Sequence, residues 1–295
     1  MKKNLVTLLA QFDLKKAFDS IDHKALLLSL KSLGFSSSAV QWVHSYITGR
    51  TQAVTTKNDV LTSFLPVSSG VPQGSSPGPI LFSMVINSLP NSLKFCKNSY
   101  LLFADDLQLF IQCPVNIISN AVRHMNEDAQ CISNWAELNG LQLNANKTQT
   151  MIFGSAQNLS YLNEFPPPRL IVEGQEIEYS KRVKSLGVTL TPDLTWNAHI
   201  STVASRAHGA LYKLRQRAWL LTPEIKKMLV QSLVVPYLDY ACLVYDSIPG
   251  YLNLKLQRLM NAGIRFIFNL HRDASITPYR NELEWLSVRD RRKYL

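Results

Sequence analysis

Tyr100-Leu-Leu-Phe-Ala-Asp105-Asp106-Leu-Gln-Leu-Phe-Ile-Gln112 decides how this sequence is read. Two apolar runs flank a pair of adjacent carboxylates, which predicts a β-hairpin turning at Asp105-Asp106. Two like charges at the edge of a core repel, and one carboxyl pKa rises unless a cation is present. A hard cation such as Mg²⁺ prefers oxygen ligands and removes that conflict. Neighbouring strand residues face opposite sides, so one Asp would be the main ligand and the other its support. Taken alone, the pair reads more readily as a solvated turn, because turns favour Asp in any case.

Asp13 shifts that weighing. Val6–Phe12 is a short apolar run consistent with a core strand, and it too ends on a carboxylate. Two strands each delivering a carboxylate to one edge could build a two-metal site, which holds an attacking and a leaving oxygen about 4 Å apart for phosphoryl transfer. The loop Ser68–Gly78, rich in Ser, Gly and Pro, opens onto a helix and adds a plausible phosphate-binding element.

Around these strands the pattern alternates. A helix capped by Ser20 carries Leu26, Leu27, Leu30 and Leu33 to a stop at Gly34, and a second, capped by Ser36 or Ser37, runs to Ile47. Residues 51–68 read as extended. A helix with Ile80, Leu81, Met84, Val85 and Leu89 stops at Pro90, and 116–139 form a long amphipathic helix closed by Gly140. Strands are expected at 141–143, 149–153, 170–173 and 183–190. From Asn197 onward only helices are expected, at 197–220, 223–235, around 237–245, and 251–269. Strands mixed with helices, then helices alone, argue for two units.

Composition narrows the class. Hydrophobic residues make up 46% of the 295, enough for a packed core, so disorder is excluded for the whole chain. Cys96, Cys113, Cys131 and Cys242 contain no C-x-x-C pair, which excludes a disulfide scaffold or zinc motif. No apolar stretch approaches the ~20 residues of a membrane span. Leu5–Ala10 reads as a buried strand and not as a signal segment. The net charge of +10 is uneven: residues 1–200 carry 16 Lys and Arg against 14 Asp and Glu, residues 201–295 carry 15 against 7. The basic third favours an anionic partner, nucleic acid first.

Phe12-Asp13-Leu-Lys-Lys-Ala-Phe-Asp-Ser-Ile-Asp22-His23 resembles motif A of reverse transcriptases. Ser69-Gly-Val-Pro-Gln-Gly-Ser-Ser-Pro-Gly-Pro79 resembles motif B, Phe103-Ala-Asp-Asp106 motif C, the stretch Asn139 to Lys147 motif D, and Leu186-Gly187-Val188 motif E, the primer grip. Any one motif is weak, but five in the family's order are specific. The wording is that of non-LTR (LINE-type, jockey-like) retrotransposons, and the tail around Leu238-Asp-Tyr, Leu256-Gln-Arg and Leu286 to Arg292 resembles their thumb.

The resemblance implies an α+β fold. Residues 1–190 would be a polymerase palm, an antiparallel sheet with packed helices, and 191–295 an all-helical, basic, thumb-like region. It implies an RNA-directed DNA polymerase that joins a dNTP to a primer 3′-OH. Asp13, Asp105 and Asp106 would be the carboxylates that hold two Mg²⁺, with Mn²⁺ an alternative, and the Leu14 carbonyl would be a further ligand. Phe18 matches the bulky residue beneath the sugar, Gln73 and Gly74 the contacts to nucleotide and template, and Lys147 a proton donor to pyrophosphate. Leu186, Gly187 and Val188 would grip the primer. The partners implied are an RNA template, a DNA primer and dNTP, with the basic thumb on the nucleic-acid backbone and no membrane.

Trp196, Tyr212 and Trp219, mixed with Arg206, Lys213, Arg215 and Arg217, suit a helix lying along a duplex, although Trp219 is expected in the core. Pro77 stands where the family usually has Leu, and the family's fingers would lie upstream of residue 1. The chain therefore reads as palm and thumb lacking most of the fingers, with activity in question. Its rival is a non-catalytic nucleic-acid-binding remnant of such an element. An RNA-templated RNA polymerase or intron maturase is disfavoured by the wording of motifs B and C and by Phe18. Localisation follows from the resemblance alone: intracellular, and nuclear at the point of function if the parent element is active.

Overall fold

The structure, a computed structural model, describes residues 4–57, 59–93 and 98–295; Cys96 lies outside them. Contacts divide the chain between Lys181 and Arg182. The first unit contains β1 (Leu5–Phe12), α1 (Ala17–Ser20), α2 (His23–Ser32), α3 (Ser37–Ile47), β2 (Thr51–Gln52), β3 (Leu65–Pro66), α4 (Gly78–Ile86), α5 (Leu89–Ser92), β4 (Ser99–Phe103), β5 (Asp106–Pro114), α6 (Ile118–Leu138), β6 (Gln149–Phe153), α7 (Ala156–Glu164), β7 (Leu170–Val172) and β8 (Gln175–Ile177). The second contains β9 (Val183–Ser185), β10 (Val188–Leu190), α8 (Asn197–Arg215), α9 (Pro223–Leu233), α10 (Val235–Asp239), α11 (Gly250–Ile267), α12 (Thr277–Glu282) and α13 (Val288–Tyr294). The hairpin 183–190 lies in the second of these units.

The first unit is built on an antiparallel sheet in the order β4-β5-β1-β6. β1 lies between two neighbours, and its Val6, Leu8, Leu9, Ala10 and Phe12 are all buried. α6 packs against β1 and β5 through Ile118, Ala121, Val122, Met125, Ala129, Ile132 and Ala136, a stripe at helical spacing. On the far side of the hydrophobic cluster α2 packs against α3 and α4.

Several boundaries differ from the sequence reading. The helix expected to be capped by Ser20 is capped by Asp22, whose carboxylate accepts from Ala25 N at 2.8 Å. Residues 17–20 form their own short turn, with Ile21 extended after it. Pro90 does not stop a helix but lies in the first turn of α5, where its missing N–H costs nothing. Residues 141–143 form no strand; a single bridge joins Leu14 to Leu143. The span 183–190 is two strands folded on each other about Leu186-Gly187. Helix α7 and strand β8 were not anticipated.

In the second unit α8 and α9 both pack against α11 around Ile200, Val203, Ala207, Leu211, Leu256 and Ile264. Gly263 lets α9 approach closely: a Cβ would lie 3.0 Å from Val230 Cγ1. Arg291 grips Asp239 with both arms of its guanidinium, at 2.5 and 2.6 Å, and ties α13 to α10. Trp219, expected in the core, is 82% exposed, because α8 ends at Arg215 and a 3₁₀ turn carries the indole outward. Among the described residues no helix is long and apolar enough to cross a membrane, and Cys113, Cys131 and Cys242 are free thiols.

Candidate active site at the sheet edge

The carboxylates gather where three strands end. Phe12 pairs with Leu107 in the β1–β5 ladder, so Asp13, one residue on, stands opposite Asp106. Phe103 pairs with Asp106 across the hairpin, which places the two-residue turn at Ala104-Asp105, one residue earlier than expected, and makes Asp106 the first residue of β5. Ala104 has φ 52°, the positive value that a type II′ hairpin turn requires at its first central position and that Gly meets without strain. An Ala held there costs on the order of 1 kcal/mol. The strain sits directly beside the carboxylates, as strained backbone at functional sites often does.

Burial raises the Asp106 carboxyl pKa, and the nearby charges of Asp105 and then Asp13 raise it further. Asp106 therefore feels both neighbouring carboxylates. The cation nearest Asp13 is Lys147, whose Nζ lies 3.9 Å from Oδ2 on a largely exposed side chain.

Residues 142–144 hold the far side of motif A. Asn144 N donates to the Asp13 carbonyl and Lys15 N to the Gln142 carbonyl, both at 2.8 Å. This is the pattern of an antiparallel pair in which Leu14 and Leu143 are the non-hydrogen-bonded partners. The Leu14 carbonyl is thus turned away from residues 142–144, toward the flank on which β5 begins. Asn144 Nδ2 also donates to Asp13 Oδ2 at 3.0 Å and fixes the carboxylate's orientation. Asn144 lies within the motif D stretch, but no spacing argument connects it to a residue 131 positions away.

The motif B loop is fastened to motif A. Val71 N donates to the Phe18 carbonyl at 2.7 Å, Gly70 N to Ile21 at 2.8 Å, and Ser69 Oγ to Asp19 at 3.0 Å. His23 Nε2 donates to the Gly70 carbonyl at 2.9 Å, which makes its role structural. Gly70 has φ 82°, and a Cβ would fall 2.6 Å from the Asp19 backbone, so only glycine fits. Gln73 Nε2 donates to Asp19 Oδ1 at 2.7 Å, which gives a purpose to a carboxylate that motif matching left idle. Gly74, with φ 77°, has open space around its α-carbon. Phe18 stacks on Phe82 at 4.5 Å between ring centroids, half-buried. Pro77 precedes α4, and its carbonyl accepts from Leu81 N at 2.9 Å.

Leu186, Gly187 and Val188 belong to the second unit. Both turn residues have positive φ, 44° and 83°, as a type I′ turn requires. Tyr240 clamps the turn: its hydroxyl donates to the Leu186 carbonyl at 2.7 Å. A Cβ on Gly187 would lie 2.9 Å from the Tyr240 ring.

The donor set at the sheet edge suits a hard cation: carboxylate and carbonyl oxygens, with mutual repulsion that a divalent ion would relieve. Among the described residues no three Asp, Glu, His or Cys side chains close into a metal cage. The carboxylates share an open edge, and a ligand would have to draw them together.

Residues 1–190 match the family described as reverse transcriptase (RNA-dependent DNA polymerase). The chain belongs to the reverse transcriptase family. The resemblance to non-LTR elements drawn from motifs A to E stands with it. The chain is 25% identical over 295 residues to a probable RNA-directed DNA polymerase from transposon X-element of Drosophila melanogaster, covering 94% of this chain and 31% of that protein. It is 27% identical over 247 residues to the RNA-directed DNA polymerase from mobile element jockey of the same organism, covering 80% of this chain and 25% of that one. It thus spans about a third or less of these curated relatives. A solved telomerase of Candida albicans in complex with a fragment of telomeric RNA is similar at 12% identity and a TM-score of 0.45, over 95% of this chain and 49% of that one. That likeness is too distant to carry functional detail.

Proposed function

We propose that this reverse transcriptase chain forms the nucleotidyl-transfer centre and thumb of a non-LTR retrotransposon's RNA-directed DNA polymerase, with 1–190 as palm and 191–295 as thumb. The observation that carries the reading is the convergence of Asp13, Asp105 and Asp106 at one sheet edge with motifs B and D fastened to motif A. In the proposed reaction the primer 3′-OH attacks the α-phosphate of a dNTP paired to an RNA template. The α–β anhydride breaks and pyrophosphate leaves. Two divalent cations, Mg²⁺ or in its place Mn²⁺, held by Asp13, Asp105, Asp106 and the Leu14 carbonyl, would supply charge to acidify the hydroxyl and neutralise the leaving group.

The chain's own residues do the positioning. Asn144 aims the Asp13 carboxylate. The Phe18 ring, held flat on Phe82, presents a wall to the sugar and excludes a 2′-OH. Gln73, steadied by Asp19, and Gly74, free of side-chain bulk, border the nucleotide and its template base. Lys147, largely exposed beside Asp13, would give a proton to the departing pyrophosphate.

Primer extension tests this. With an oligo(rA) template, a DNA primer, dTTP and Mg²⁺ or Mn²⁺, the chain should extend the primer, and Asp105→Ala should reduce the rate by about 10³-fold or more, the scale on which loss of transition-state charge stabilisation acts. No extension, alongside tight salt-sensitive RNA binding, would favour the non-catalytic remnant instead.

A further inference from the structure

In the first unit, α3 starts a stacked ladder that none of the five motifs contains. Trp42, Tyr46 and Arg50 recur every four residues, the spacing that sets side chains above one another on a helix face. The Trp42 and Tyr46 rings lie 6° from parallel with centroids 5.8 Å apart. The Arg50 guanidinium, just beyond the helix end, sits over the Tyr46 ring at 5.4 Å. Tyr46 packs partly against the core, whereas Trp42 is 60% exposed. Indoles are mostly covered in folded proteins, so one left in the open within an ordered stack is informative.

The ladder ends at a cleft. Arg50 lines it together with Lys16, Thr51 and Gln52 and, from the motif B loop, Ser69 and Gln73, around a space of about 660 Å³. That volume falls in the range of sites that hold small organic ligands. Asp19 also lines the cleft, with its carboxylate engaged by Gln73 Nε2 at 2.7 Å. Residues 23–58 contain Lys24, Lys31, Arg50 and Lys57 and no Asp or Glu, a charge that suits an anionic partner.

Flat faces in series suit unpaired bases. A base within a duplex has both faces covered by its neighbours, and a base in a single strand does not. Aromatic rings and guanidinium planes stack such bases whatever their identity. Tyr46 backs the Arg50 guanidinium, a cation–π contact that presents its plane to a ligand. An apolar protein segment would use the rings but gain nothing from the cations.

We infer that this cleft takes an unpaired nucleotide of a single strand, its base stacked on Arg50, and that the exposed Trp42 indole takes a second base further along the same strand. The cleft adjoins Gln73, so the strand is the template ahead of the position being copied. That assignment rests on the proposed function.

The test uses the full chain and fluorescent RNA–DNA duplexes of one sequence, blunt or with 5′ template overhangs of two or six nucleotides, with affinity read by anisotropy across a salt series. Overhangs should tighten binding about tenfold over the blunt duplex. Arg50→Lys keeps the charge but loses the plane. It should remove most of that gain and leave the slope of log affinity against log salt unchanged. Trp42→Ala should remove part of the gain for the longer overhang alone, and Trp42→Phe should restore it. Trp219→Ala, which removes an exposed indole from the second unit, should leave the gain intact. Equal affinity for blunt and overhung duplexes would overturn the site, and a gain retained in Arg50→Lys would reduce it to charge. A wild-type chain that sediments as a dimer, beside a monomeric Trp42→Ala chain, would overturn it in favour of pairing between copies. Primer extension on the same duplexes separates the two readings. If the chain extends but ignores the overhang, the site falls and the proposed function stands. If it senses the overhang through Arg50 but never extends, the site stands and polymerisation falls.

Discussion

The two units handle uncompensated charge in opposite ways. Residues 1–181 carry 14 Lys and Arg against 13 Asp and Glu, yet three carboxylates gather at one sheet edge, where burial and the charges of Asp105 and Asp13 raise the proton affinity of Asp106. Residues 182–295 carry 17 against 8, and Arg215, Arg258, Arg265 and Arg272 line one cleft without an acid. Totals near balance or far from it say little; where the chain declines to pair its charges says more. Each cluster brings like charges together and would be relieved by a ligand of opposite sign.

If the two regions work independently, damage to one should spare the other. The largest effect is expected from Gly70→Ala, which forces a methyl into the Asp19 backbone at a φ that L-residues avoid. Overpacking and strain together should cost about 3 kcal/mol and abolish extension. Affinity of the remaining folded protein for a blunt RNA–DNA duplex should hold, and a parallel fall would show that the regions are not separable.

Asn269→Ala strikes the second unit. Asn269 Oδ1 accepts from the buried Lys226 ammonium at 2.6 Å, and its φ of 53° suits Asn better than Ala. Losing a charged hydrogen bond should cost about 2 kcal/mol in a urea melt. Per-site activity of the folded fraction should be unchanged; a drop would couple the cleft to the chemistry.

Ala104→Gly sharpens the account of the carboxylate turn. Relief of the left-handed strain should raise stability by up to about 1 kcal/mol, offset in part by the entropy of glycine. A lower melting temperature would mean that the turn stores no strain.

Asp106→Asn should give the smallest change. A carboxyl whose folded pKa is raised contributes stability that is present below its ordinary value, 3.8, and lost as pH rises through the folded value. At pH 7 the Asn variant should therefore melt slightly higher than wild type, and the gain should vanish below pH 3.8. Mg²⁺ should stabilise the wild-type chain more than the variant. A variant less stable at pH 7 would mean that crowding at the edge is already relieved within the chain.

Much of the site was legible because its signals are local. Asp13 and Asp106 each adjoin an apolar run, and strand periodicity alone brings such runs to one edge. Asp22 lies one residue before a helical stripe, so its place at a helix start follows from the sequence even though Ser20 competes for the cap. The signals that failed were those in which near neighbours offer equal choices. Ser20 and Asp22 both cap helices, and Asp105-Asp106 and Ala104-Asp105 both make two-residue turns. Trp219 was misplaced because an indole fits a core as well as a surface until the helix end is located.

By itself the sequence determined the chemical inventory and its order: five motifs, an apolar central strand, a balanced first part and a basic second. Local composition and periodicity carry that information whatever the chain's path. Only the tertiary structure decided which distant groups meet. Asn144 reaches Asp13, Gly70 admits the Asp19 backbone, Tyr240 clamps Leu186, and four arginines from three segments face one cleft. Such contacts depend on strand register and helix packing, in which a shift of one residue turns a side chain to the opposite face.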